Sequence, residues 1–389
     1  MTNPNQIKNK KRILVLITHS LGEFDVLFPL FTDVKVKYDV DVKMIITVNR
    51  IYRQYKTNDF YRFCAKELNI KVNRCQLPNK FDYRDIKILQ NIIGRYIIKL
   101  YYTLLKVINY PIIFPKLFWA DSFMHEYSNQ RGSTYILYKI SKIFQKDIFV
   151  YHHGHTLTQV SKNPKMVLDS DKVSLLLFHD LSKDWGKSLG YKKFHTIGWP
   201  KFYKNWLNMV YKYKTNYLYN DHIVVFSRQA CHPYYMDIEK YESLLLESYE
   251  SIRHHYKDNL IVIKPHPRED VALIKLIINK YNMNNVIISF YHAVILSMNA
   301  KMVISFWTSA IFDSFSIGIP TIEFYKEAYK FREVEPKGSL FKLVGIDSTN
   351  NKEGLIKFIT KVKNNDYVPP EIIEDFKLIN DVSFVTSFS

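Results

Sequence analysis

The residues of this chain best suited to chemistry stand at the ends of short apolar runs. Ile261-Val262-Ile263 leads into Lys264-Pro265-His266-Pro267, and Ile304 leads through Ser305-Phe306-Trp307 into Thr308-Ser309. A lysine, a histidine and two hydroxyls suit an anion, because each donates a hydrogen bond that a phosphate oxygen accepts well. If each run is a buried parallel strand, both groups emerge at the carboxyl ends, where open α/β sheets bind ligands. The two strands are expected side by side, forming one rim. Thr308 and Ser309 are then expected to open a helix over 310–317, whose first amides and positive dipole end favour a phosphate. Either residue alone is equally an ordinary helix cap, and His266 alone is equally a loop histidine.

Other groups raise other chemistry. His152-His153-Gly154-His155 puts three histidines in four residues, which invites a metal. Neighbouring side chains of an extended segment point to opposite faces, and no Cys or carboxylate cluster accompanies them, so no metal is expected. Ser20-Leu21-Gly22-Glu23 follows the run Arg12–Ile17, with Asp25 two residues on. The plainest role for Glu23 is a first-turn glutamate favoured by the helix dipole. Asp39-Val40-Asp41 reads as a solvated turn. There is no Gly-x-Gly-x-x-Gly, no Walker lysine loop and no Gly-x-Ser-x-Gly elbow. No cofactor is expected.

The elements that must position these residues form an α/β pattern. In the first half, strand-like runs at 12–17, 42–48, 146–151 and 173–178 alternate with helical patterns. These include a helix after Phe24, an aromatic polar one over 52–68 and a long apolar one over 92–110. The second half continues with strands at 223–226, 261–263, 286–288, 302–304 and 320–324, and with helices between them. Such an order implies parallel sheets with right-handed crossovers. A length of 389 residues suits about two domains. The expected division is 1–200 and 201–370, both Rossmann-like, with 371–389 a helix or tail that crosses back to the first. Gly198 and Pro200, followed by the aromatic-basic stretch 201–219, mark the linker.

The net charge is +18, from 55 Lys+Arg against 37 Asp+Glu, which favours anionic partners. Apart from Lys8-Asn9-Lys10-Lys11-Arg12 the cations are scattered, and no nucleic-acid-binding module is visible, so no specific nucleic acid is expected. Cys64, Cys75 and Cys231 form no framework, which fits a reducing cytoplasm. Neither a signal peptide nor a spanning helix is expected. On the helix over 92–110, Arg95, Lys99, Thr103 and Lys106 share a face. That is either a core helix with a solvated stripe or an interfacial helix resting on an anionic membrane at the inner face of the plasma membrane.

The second half resembles the nucleotide-binding half of GT-B glycosyltransferases. Ile304–Phe324 is similar to the donor region of bacterial surface-polymer transferases: CDP-glycerol glycerophosphotransferases, capsule Kdo transferases and sialyl- or polysialyltransferases. The resemblance implies that His266-Pro267 and Thr308-Ser309 grip a cytidine nucleotide's phosphate, joined by Lys264. Gly198-Trp199-Pro200 resembles the turn these enzymes carry before the nucleotide domain, and Arg228 stands where such folds place a basic residue near the donor phosphate. Ser20-Leu21-Gly22-Glu23 resembles the Ser-x-Gly-Glu loop of Kdo transferases, which implies Glu23 as base, with Asp25 as its substitute. His153-Gly154 resembles the His-Gly-Thr-Pro loop of the glycerophosphotransferases, which implies His153 as base, although His155-Thr156-Leu157 departs from that loop.

The expectation is therefore a metal-independent inverting glycosyltransferase of GT-B type, with two Rossmann-like domains facing a cleft. It would pass a sugar from a CMP-Kdo or CMP-sialic acid type donor to a hydroxyl of a glycan or glycolipid of the bacterial surface. The nearest competitor is a CDP-glycerol or CDP-ribitol phosphotransferase. A nucleotide-sugar epimerase is disfavoured for want of acid-rich motifs, and a non-catalytic basic protein binding glycan, lipid or nucleic acid is the competitor from another class. Loss of turnover with nucleotide binding retained is expected of Glu23→Ala under the first reading and of His153→Ala under the second.

Overall fold

The computed structural model describes residues 10–77, 92–127, 134–153, 171–213, 219–228, 237–267, 269–327, 338–370 and 381–387, with the backbone alone at 92–95, 97–99, 106 and 387. Gly154 and His155 of the histidine loop, Cys231, and 371–376 of the expected terminal helix lie outside the described residues. The chain divides into two compact units. One gathers the described residues within Met1–His153, Val160–Met209 and Leu378–Ser389, and the other those within Val210–Lys377.

The first unit is built on a seven-stranded sheet: β1 (Lys11–Ile17), β2 (Val40–Ile46), β3 (Lys71–Arg74), β4 (Ser122–Glu126), β5 (Asp147–Tyr151), β6 (Val173–Leu177) and β7 (Lys193–Thr196). Its order is β3-β2-β1-β4-β5-β6-β7, and every pairing is parallel. Strand order reverses between β1 and β4, and that is where an open α/β sheet leaves a crevice. The intervening helices are α1 (Phe24–Lys37), α2 (Asn49–Thr57), α3 (Asp59–Glu67), α4 (Ile92–Trp119), α5 (Tyr135–Phe144) and α6 (Lys183–Ser188), and α7 (Lys204–Lys212) follows β7 and runs past Met209, where this stretch of the unit ends.

The helix expected over 52–68 is two helices. Asn58 stops α2 in an extended conformation, and its side chain accepts from the Tyr61 amide to start α3. The helix expected over 92–110 runs on to Trp119 through Pro111 and Pro115. Both prolines are exposed. The carbonyls they leave without a helical partner therefore face outward, where a helix tolerates the loss best. Lys146 then closes the end of α4, donating to the carbonyls of Leu117, Phe118 and Ala120. At the carboxyl end of the chain, Phe384 packs its ring on Phe149 of β5.

The second unit carries a six-stranded parallel sheet in the order β10-β9-β8-β11-β12-β13. The strands are β8 (Ile223–Phe226), β9 (Ile261–Lys264), β10 (Val286–Ile288), β11 (Met302–Ser305), β12 (Thr321–Phe324) and β13 (Asp347–Thr349). The helices between them include α8 (Ile238–His255), α9 (Val271–Lys280), α10 (Ala293–Ser297) and α11 (Ile311–Phe315). Alternate strand residues feed opposite faces. Ile223, Val225, Ile263 and Ile304 pack with Tyr241, Leu244 and Ile252 of α8, while Val224, Phe226, Val262 and Val303 pack with Ala293 and Leu296 of α10. Both faces are covered, which is why these strands read as unbroken apolar runs.

Two expectations change here. The strands bearing Lys264-Pro265-His266 and Thr308-Ser309 are not neighbours, because β8 lies between β9 and β11. The helix expected over 310–317 is only five residues long, stopped by the turn at Gly318, whose φ is +78°. So short a helix supplies little macrodipole.

Gly186 fixes how closely α6 lies on its sheet. A Cβ there would stand 2.6 Å from Phe194 Cε1 and 2.9 Å from Leu175 Cδ2. Ala normally stabilises a helix interior over Gly by about 1 kcal/mol, but the overlap should outweigh that. Gly186→Ala is expected to lower stability by about 1–3 kcal/mol, read as a lower Tm.

Candidate functional site

In the first unit the site begins where β1 ends. Thr18, His19 and Ser20 carry the chain into a single 3-10 turn, Leu21–Glu23, and then into α1. The Glu23 side chain folds back under this loop and is fully buried. Its Oε1 accepts the amides of Thr18, His19 and Ser20 at 2.9, 2.7 and 3.2 Å, and its Oε2 accepts the Tyr151 hydroxyl at 2.6 Å. This is a Ser-x-x-Glu capping box extended by two further amides. Burial, and then the charge of Glu126, push the Glu23 carboxyl up to about 7 against the pull of these donors. Glu23 is thus a loop anchor with every oxygen engaged.

Glu126, the last residue of β4, is also fully buried, and its Oε1 lies 3.2 Å from His153 Nδ1. A carboxylate can only accept, so Nδ1 carries the proton and Nε2 is the nitrogen placed to take one. The two histidines after β5 diverge as the extended chain alternates. His152 is buried with its ring 3.9 Å from that of Phe178, whereas the His153 side chain keeps 23% of its surface exposed. The His153 ring lies 4.8 Å from that of His19. A Cβ on Gly22 would meet His153 Cδ2 at 3.7 Å, Ser20 Oγ at 3.4 Å and Asp25 Oδ2 at 3.9 Å. The glycine therefore makes the gap around which a histidine, a hydroxyl and a carboxylate gather. Asp25 accepts the Tyr61 hydroxyl at 2.6 Å through its other oxygen. His19, Ser20, Glu126 and His153 sit at the ends of β1, β4 and β5, with Asp25 in the first turn of α1, beside the reversal of strand order. Among the described residues no three His, Cys, Asp or Glu side chains are grouped to hold a metal ion.

In the second unit, strand order reverses between β8 and β11. Ser227-Arg228 leaves the first of these strands and Phe306-Trp307-Thr308-Ser309 the second. Lys264 ends the neighbouring β9, and its carbonyl accepts the Ser227 amide at 3.1 Å. Glu269 ties the region together. Its Oε2 accepts the His266 amide and the Ser227 hydroxyl, both at 2.7 Å, and its Oε1 accepts the Tyr241 hydroxyl from α8. Burial raises the Glu269 carboxyl, while these donors and the charge of Arg228 lower it. Lys264, His266, Arg228 and Ser309 are half-buried, whereas Thr308 is only 6% exposed. Thr308 Oγ1 accepts the Ala310 amide at 3.5 Å, a contact within the turn ahead of α11. Trp307 before it has φ +45°. Among the described residues every other non-glycine residue with positive φ is Asn, Asp or Gln, so a buried tryptophan there marks a strained strand end.

Glu23, Asp25 and His153, singled out from the sequence, lie close together in the structure, His153 and Asp25 at a strand-end rim and Glu23 buried beneath the loop. The structure likewise gathers Lys264, His266, Arg228 and Ser309 on another. Sequence reasoning missed Glu126 and Tyr151, which reach their partners only through pairing of β4 with β5 and through the turn after β1. It also missed Glu269, although a glutamate three residues after His266 is a local signal that it closes that turn.

No family model matches the sequence, and no curated protein matches it. Solved structures do resemble the chain. A UDP-GlcNAc 2-epimerase from Methanocaldococcus jannaschii is similar at a TM-score of 0.57 and 12% identity, over 97% of this chain and 100% of that one. A glycosyltransferase from Rickettsia africae is similar at 0.50 and 13%, over 98% and 95%. An Anabaena protein solved with UDP and glucose is similar at 0.50 and 9%, over 97% and 95%. At such identities the likeness is one of fold, namely the GT-B type with two Rossmann-like parallel-sheet domains.

The raised Glu23 carboxyl has a signed consequence. From about pH 4.5 to about 7 the folded chain holds that proton and the unfolded chain does not, so Glu23 costs stability as pH rises through this window. His125 and His179, each held near 4 by burial, act in the opposite sense over much of the same range. The difference between parent and variant isolates the carboxylate. Glu23→Gln is expected to gain on the parent by up to about 3 kcal/mol between pH 4.5 and 7, measured by urea unfolding at each pH.

Proposed function

We propose that this chain is a transferase that passes the group of a nucleotide-activated donor to an acceptor hydroxyl, with His153 as general base. The single observation carrying the proposal is the pair His153–Glu126, a rim histidine backed by a buried carboxylate at 3.2 Å. Glu126 fixes the tautomer and stabilises the imidazolium that forms when Nε2 takes the acceptor proton. The acceptor oxygen then bonds to the anomeric carbon of the sugar on the face opposite the leaving group. The bond from that carbon to the phosphate oxygen breaks, and the electron pair departs with the nucleotide. Inversion follows from this single displacement. Lys264, His266 and Arg228, with the hydroxyl and amide of Ser309, are suited to hold the charge that grows on the phosphate.

This assignment moves the base from Glu23 to His153. Glu23 has its oxygens committed to three amides and a tyrosine, a poor position from which to abstract a substrate proton. For the donor, we retain a cytidine-activated sugar of CMP-Kdo or CMP-sialic acid type, with a surface glycan or glycolipid as acceptor. A CDP-glycerol or CDP-ribitol phosphotransferase is the second reading, and reliance on His153 favours it. There the same proton transfer would precede attack on phosphorus instead of carbon.

A thermal-shift panel of CMP, CDP, UDP, GDP and ADP tests the donor class, and the largest shift is expected from a cytidine nucleotide. His266→Ala should weaken that binding by about tenfold. If the variant binds the nucleotide as tightly as the parent, the donor assignment fails. His153→Ala should keep nucleotide binding and lower turnover by about 10²–10⁴, with Glu126→Gln following it, while Glu23→Gln stays within a few-fold of the parent. Turnover lost in Glu23→Gln but kept in His153→Ala would return the base to Glu23.

A further inference from the structure

The outer layer of the first unit carries an apolar surface that its core does not use. Helix α4 leads from β3 to β4, and α5 leads from β4 to β5. Both crossovers run in the same direction across the sheet, so right-handedness puts the two helices on one face, opposite α1, α2 and α3. Ile113 and Leu117 of α4 and Leu137, Tyr138 and Ile140 of α5 are buried. The opposite side of α4 presents Tyr96, Leu100, Leu104, Val107, Ile108 and Phe118 to solvent, with Leu100 73% and Val107 67% exposed. Their spacings of four, four, three, one and ten fall on one stripe about 33 Å long. Phe118 meets Phe144 of α5 edge to face at 5.1 Å. The neighbouring Ile143 is 68% exposed and stands among the exposed Lys139 and Lys142. Single exposed apolar residues are ordinary, but a continuous run of them marks an interaction surface.

The charge pattern selects the occupant. Over their whole lengths α4 and α5 contain no Asp or Glu. Beside the stripe, α5 carries the exposed Lys139 and Lys142. A second copy of the chain is a poor occupant, because a two-fold contact lays the patch on itself and brings like charges together. No helix among the described residues is long and apolar enough to cross a membrane. We infer that the α4–α5 face seats the protein on an anionic lipid surface, with the leucine and phenylalanine stripe entering the headgroup boundary and Lys139 and Lys142 meeting lipid phosphates.

The test uses the full chain in flotation with vesicles of phosphatidylcholine and phosphatidylglycerol at seven to three, and with phosphatidylcholine alone. The parent should bind the anionic vesicles about tenfold or more better than the neutral ones. Leu100→Glu/Leu104→Glu/Val107→Glu should weaken binding by about thirtyfold and Lys139→Glu/Lys142→Glu by about tenfold. Both sets alter exposed residues, so parental Tm and nucleotide binding are expected in each. Should the triple variant fail to fold, the lysine pair decides. The inference is overturned if the parent does not float with anionic vesicles, or if a folded variant of either set binds them like the parent. It is also overturned if the parent is a dimer that the triple variant splits without any lipid dependence.

Discussion

A buried carboxylate must have its lone pairs engaged, and in this protein that requirement sets the shape of both strand-end regions. Glu23 gathers three successive amides and a tyrosine hydroxyl, and so fixes where α1 begins. Glu269 gathers the His266 amide, the Ser227 hydroxyl and the Tyr241 hydroxyl, and so fixes how the β9 loop lies against the end of β8. Each carboxylate replaces solvent for donors that would otherwise be buried without partners. The side chains at these strand ends are held on loops that are themselves held from beneath.

The division of labour between the two glutamates of the first unit follows from the same constraint. Glu23 and Glu126 are equally buried, yet only Glu126 presents an oxygen to a partially exposed histidine. A carboxylate that faces the backbone shapes a loop, and one that faces an imidazole sets its proton. Both occur where strand order reverses, so topology locates the region and hydrogen bonding assigns the roles.

Much of the fold was legible in the sequence because strands buried on both faces read as continuous apolar runs, as at Ile223–Phe226 and Ile261–Ile263. The ends of those runs also placed His266, Arg228, Thr308 and Ser309 at the carboxyl edge of the sheet, where the structure has them. The neighbour relation of β9 and β11 was not legible, because order across a sheet is a long-range property and β8 inserts between them. Local chemistry misled at two points. Asn58 ended one helix and began another within a single aromatic-polar pattern, and two prolines failed to stop α4 because they lie on its exposed side. Glu23 was found through the resemblance of its loop, but one of its carboxylate oxygens is engaged by Tyr151, 128 residues away. Glu126 carried no local signal, since its meaning comes from β4 lying beside β5.

The left-handed backbone of Trp307 bears on the thermodynamics of whatever occupies the loop after it. Holding a buried aromatic residue at φ +45° opposes folding by about 1–3 kcal/mol, offset by packing elsewhere in the unit. That ordering is complete before any ligand arrives. Any ligand of this loop would meet a backbone whose conformational entropy has already been given up, so less of the contact free energy would be consumed in arranging the loop.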